Sequence, residues 1–160
     1  MKPWIAGLGM LVLATAAQAG GGSMTGVQQN VAVESRDGRV WVTMTAENGG
    51  AKAVYLPNAA YKSDRLFGRT FEVRNRDSGV ELDYTGPMVK RGPLTAADFT
   101  ELKPGAKISH AIDITPSFAF APGKHNYQLS YEGKVVADTA NLAAPGPSQK
   151  FLVTFTHTGK

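Results

Sequence analysis

The sequence predicts an all-β protein: an immunoglobulin-like antiparallel β-sandwich of about eight strands, with one long Pro/Gly-rich loop. Apolar and polar residues alternate at period two along most of the chain, as half-buried strands require. Turns rich in Gly and Pro separate these runs at short, regular spacing. No long stretch carries the 3.6-residue apolar period of an amphipathic helix.

Taken in order, "MKPWIAGLGMLVLATAAQA" (1–19) has a basic start, an apolar run and an Ala-Gln-Ala end. That is the pattern of a cleaved secretory signal peptide, and the run is too short for a comfortable membrane span. No Cys follows it, which excludes lipoprotein processing. Export to the periplasm or beyond is expected, with no stable membrane insertion after cleavage. Residues 20–26, "GGGSMTG", form a flexible lead-in. Residues 27–160 then make one sandwich domain. In "RVWVTMTAEN" (39–48), Val40, Val42, Met44 and Ala46 share one face. Trp41 points opposite Val40 and Val42; it is assigned to the inner face of the sandwich, with an exposed contact as the alternative. "NGG" (48–50) turns the chain into a return strand at 51–57, ended by Pro57. "RTFEVRN" (69–75) places Phe71 and Val73 inward, and "VELDY" (80–84) returns with Val80, Leu82 and Tyr84. "LKPG" (102–105) is a turn before the alternation of Ile108, His110, Ile112 and Ile114. Phe118 and Phe120 plug a loop. Tyr127, Leu129 and Tyr131 face the core from the next strand, and "KFLVTFTH" (150–157) is the last, its inward face left open by Leu152-Val153.

Composition narrows the function. The formal net charge is +4, or +3 once Lys2 is removed, and no Lys/Arg run exceeds a pair, so no nucleic-acid partner is expected. With no cysteine, an exported domain must rely on packing rather than disulfides. The three histidines, His110, His125 and His157, sit on separate strands without metal-binding spacing, so no metal or other cofactor is expected. No G-x-S-x-G elbow occurs, and the 13 carboxylates are scattered. No catalytic residue stands out, and a binding protein rather than an enzyme is expected.

The stretch "YTGPMVKRGPLTAADF" (84–99) is the most unusual. Hairpin connections normally take two to five residues. This one takes about a dozen, braced by Pro87 and Pro93, with Gly86 and Gly92 permitting close backbone approach. Thr95 and Asp98 have the spacing of a capping box around one helical turn. Met88 and Val89 either seal the core or face a partner. Lys90 and Arg91 either are solvated or address an acidic pocket, and Arg91 can also pair with Asp98.

Tyr84, "GPMVKRG" (86–92), "TAADF" (95–99), "LKPG" (102–105) and "IDI" (112–114), in that order, resemble the N-terminal pro-region of secreted zinc metalloendopeptidases of the deuterolysin and peptidyl-Lys type. The likeness runs from Val27 to Lys160. It departs at the catalytic domain: the family's HExxH is missing, and the chain stops where that domain would begin. The resemblance implies a stand-alone inhibitor, or folding chaperone, whose partner is a secreted zinc metalloendopeptidase. The expected contact loop is Gly86, Pro87, Met88, Val89, Lys90, Arg91, Gly92, Pro93 and Asp98, with Asp98 the nearest candidate for a contact to the protease zinc. Tyr61, Leu66 and Phe67, in the irregular stretch 58–68, are a possible second surface. The competing expectation is an envelope structural or adhesion module that binds a protein or glycan, with Trp41 and Tyr55 as candidate exposed aromatics.

Overall fold

The computed structural model describes residues 26–142 and 147–160. The expected signal peptide and all of the lead-in but Gly26 lie outside the described residues. The strands are β1 (Val27–Arg36), β2 (Arg39–Asn48), β3 (Val54–Pro57), β4 (Glu72–Asn75), β5 (Phe99–Leu102), β6 (Lys107–Asp113), β7 (Gly123–Lys134) and β8 (Ser148–Gly159). One short helix, α1 (Asn58–Tyr61), follows β3 directly. The protein is therefore all-β, with eight strands among the described residues, and every pairing between named strands is antiparallel.

The strands form a sheet ordered β1-β2-β6, a second ordered β4-β7-β8 and a pair β3-β5. A bridge between Tyr55 and Val136 ties β3 to the segment that follows β7. One hydrophobic cluster joins residues from all three groups. Val40, Val42, Met44 and Ala46 of β2 are fully buried in it, as their alternation predicts. Phe71 and Val73, and Tyr127, Leu129 and Tyr131, enter the same cluster. In β8 the inward set is Phe151, Val153, Phe155 and His157, which leaves Leu152 exposed.

Several sequence expectations need correction. Trp41 is on the outer face of its sheet: the four apolar β2 residues take the core side, and period two leaves Trp41 half-buried with the Arg36 guanidinium 5.4 Å from its ring centre. β2 does not return into β3. It runs between β1 and β6, and β3 pairs with β5 instead. Asn48 explains the break. Its buried side chain donates to the carbonyls of Lys52 (2.8 Å) and Leu102 (2.9 Å) and accepts from Gly50 N–H (3.0 Å). That fixes 49–53 as a corner leading into β3, which pairs with β5, rather than as a hairpin. Segment 80–84 makes isolated bridges, Glu81 to Arg74 and Tyr84 to Phe118, and no strand. Only Leu82 of its apolar set is buried; Val80 is 62% exposed. The chain leaves β4 after one bridge because Tyr84 crosses to a different partner.

Candidate functional site

The stretch from Thr85 to Ala97 lies almost wholly at the surface. Within it Met88 is 75% exposed, Val89 52% and Leu94 56%, so these side chains do not seal the core. Single exposed apolar residues need no explanation, but three on one short segment are a concentration that an ordinary loop lacks.

The loop is nevertheless held in place. At its base the Tyr84 ring packs edge-on against buried Phe118, and Thr85 N–H donates to the Ser117 carbonyl at 2.9 Å. The Tyr84 hydroxyl donates to the Pro87 carbonyl at 2.9 Å. Burial raises the pKa of that hydroxyl, which keeps the donor proton in place. Gly86 lies against the Tyr84 ring, where a Cβ would fall 2.6 Å from the hydroxyl oxygen. In the middle, Val89 N–H donates to the Phe67 carbonyl at 3.1 Å. At the far end one 3-10 turn, Ala96–Asp98, carries the expected capping box: Asp98 Oδ2 accepts from Thr95 N–H at 2.8 Å. The Asn58 side chain donates to the Ala97 carbonyl at 2.9 Å.

Asp98 is thereby engaged at both oxygens, since Oδ1 accepts from Arg91 at 3.3 Å. The pair is part-exposed, so its value is in shape rather than in stability. Asp98 thus serves the loop's own geometry. Arg91 is committed to it, whereas Lys90 forms no ion pair among the described residues. Gly92 and Pro93 are exposed at the crest between these groups.

The second surface does not form as expected. Tyr61 and Leu66 are 2% and 1% exposed, and both belong to the core. The short helix α1 turns Ala60 and Tyr61 inward, and the Tyr61 hydroxyl donates to Gln29 Oε1 at 2.8 Å. Phe67 is half-buried under the Arg65 guanidinium and joins the first loop through Val89. Leu94 is the exposed apolar residue of this loop that sequence reasoning missed; its place between Pro93 and the Thr95 cap was the available signal. Trp41 and Tyr55 stand on strands of different sheets and make no shared aromatic face. The histidines are apart: His110 Nε2 donates to the Ser63 carbonyl, His125 Nε2 to the Pro122 carbonyl, and His157 Nδ1 shares a hydrogen bond with Ser35 Oγ.

No family model matches this chain, and no curated protein matches it. Among solved structures it is similar to the Northeast Structural Genomics Consortium target SoR45, at 12% identity and a TM-score of 0.45, over 84% of this chain and 87% of that one.

Proposed function

We propose that this chain is a propeptide-like inhibitor of an exported zinc metalloendopeptidase, an immunoglobulin-like sandwich that presents residues 86–98 to the protease cleft. The observation that carries the reading is the exposure of Met88, Val89 and Leu94 on a loop anchored at its base, middle and end. A segment already held in shape loses little conformational freedom on binding, which is what makes a short apolar loop an effective ligand. Met88 and Val89 enter apolar subsites. Lys90 is the cation available to an acidic pocket, and Arg91 holds the loop through Asp98. The likeness of this stretch to the deuterolysin-type pro-region supports the choice of partner.

The test is inhibition of a purified lysine-preferring deuterolysin-type endopeptidase by the chain lacking residues 1–19. Lys90→Ala should weaken inhibition at least about tenfold, or about 1.4 kcal/mol. Met88→Ser should weaken it comparably, and Arg91→Ala less. Absence of inhibition by folded protein against several such proteases would remove the proposal.

A further inference from the structure

We propose that a second site, a cleft beside the β1–β2 turn, binds a pyranose sugar ring. The cleft has a volume of about 540 Å³ and is lined by Arg39, Asp113, Phe118, Phe120, His157 and neighbouring residues. That volume lies within the range of about 300–1,000 Å³ typical of small-ligand sites.

Its floor is aromatic. Phe120 is half-buried, in edge contact with Phe118, Tyr127, Phe155 and His157, so it is fixed by its neighbours while still reaching the surface. Its walls are polar and pre-organised. Val40 N–H donates to Thr115 Oγ1 at 2.7 Å, and Thr115 Oγ1 donates to Asp113 Oδ1 at 2.6 Å. Asp113 Oδ2 accepts from Arg39 at 3.1 Å. Thr115 N–H also donates to Asp113 Oδ1 at 3.0 Å, so the carboxylate keeps one unused acceptor position, on Oδ2, and the Arg39 guanidinium makes no other hydrogen bond among the described residues. His157 is 2% exposed and bonds Ser35 through Nδ1. Its Nε2 makes no hydrogen bond among the described residues. His157 itself lines the cleft. Burial also holds the imidazole pKa below its usual value, which favours a neutral ring.

The charges select among ligands. Arg39 is matched by Asp113, and Asp37 and Lys160 add one charge of each sign. A simple anion or cation would gain little from this balance. A hydrocarbon would cover the polar wall and leave its donors and acceptors unpaired, at a cost. A pyranose presents a C–H face to an aromatic floor and hydroxyls that both donate and accept, which meets a wall containing carboxylate, guanidinium and neutral imidazole together. The site shares Phe118 with the base of the exposed loop, where Tyr84 packs on it, and uses none of residues 86–98.

The experiment is a titration of the 15N-labelled full chain with glucose, galactose, N-acetylglucosamine and their disaccharides, with benzoate and phosphate as contrasting probes. The expected result is saturable movement of the Gly38, Arg39, Phe120 and His157 amide signals with at least one sugar. A response to the monosaccharide indicates a free sugar; a response to the disaccharide alone indicates the end of a glycan. Arg39→Gln and His157→Gln should each weaken binding about fivefold, the value of one hydrogen bond. Arg39 is exposed, so its variant tests the site even where the buried histidine variant folds poorly. Failure of every sugar to saturate these signals, saturation by benzoate or phosphate alone, or undiminished sugar binding in Arg39→Gln would overturn the proposal.

Discussion

Replacing Gly86 by alanine should destabilise the protein by about 1–2 kcal/mol, although its backbone does not require glycine. Gly86 is not among the positive-φ glycines of the described chain, so alanine is conformationally allowed. At an open site of that kind Gly→Ala stabilises by about 0.4–1 kcal/mol, because the unfolded chain loses freedom. Here the added Cβ meets the Tyr84 hydroxyl oxygen at 2.6 Å, Tyr84 Cζ at 2.7 Å and Ser117 Oγ at 3.1 Å. Overpacking of this kind costs about 1–3 kcal/mol. Moving the ring also endangers the hydrogen bond from Tyr84 to the Pro87 carbonyl, worth about 0.5–1.5 kcal/mol. The steric term wins, and the net sign is unfavourable. Urea unfolding should show a lower midpoint with an unchanged slope. In a Tyr84→Ala background the two closest contacts are gone, so the same substitution should cost little, and the double-mutant cycle should report a coupling of about 1 kcal/mol. A stabilised Gly86→Ala, or an equal cost in both backgrounds, would refute the steric account of how the loop base is held.

Asp98→Ala removes both the cap and the partner of Arg91. Amide exchange at Thr95 should accelerate about tenfold, with little change in global stability because the turn is exposed. Tyr131→Phe should raise stability by about 1 kcal/mol, since it removes a buried hydroxyl with no partner among the described residues; a loss of that size would reveal a bridging water. The pKa of His157 is lowered in the folded state by burial, so the unfolded state takes up the proton first as pH falls. His157 should therefore subtract stability progressively below about pH 6.5, and His157→Gln should flatten the slope of urea midpoint against pH between about 7.5 and 5.5. The pKa values of Tyr61 and Tyr131 are raised by burial, so stability should fall as pH rises past about 10, where the unfolded chain ionises first.

Period-two alternation carried the fold class and the buried faces of β2, β4 and β7, because burial on one side is written directly into residue order. It carried no information about which strands pair. The chain turns β2 into a corner through Asn48, and one asparagine with three backbone partners looks no different in sequence from any turn asparagine. The β1–β2 hairpin was visible in principle. Asp37-Gly38 is a strong two-residue turn signal, and both residues have positive φ, 52° and 72°. Trp41 was assigned to the inner face, with an exposed contact as the alternative, although alternation already set it opposite Val40 and Val42. At the site, the Thr95–Asp98 cap was legible from its spacing, and the Arg91–Asp98 pair was one of three open readings. The exposure of Met88 and Val89 was not legible, because residue order alone does not say that Tyr84 is the side chain of this stretch that packs on buried Phe118.

The two-residue turn between β1 and β2 also has a kinetic consequence. A hairpin closed so locally forms in about 1–10 μs, whereas β2–β6, β3–β5 and β4–β7 join segments far apart in sequence and must first overcome loop-closure entropy. Folding should begin at Asp37-Gly38 and proceed slowly, as non-local β-topologies do. The 85–98 segment is fastened to Phe67, Ser117 and Asn58, three points brought together only when those distant pairings exist. The anchored shape of this loop is thus the last part of the molecule to appear and the first to be lost, so a partly folded chain can already possess strands while its exposed apolar loop is still unfastened.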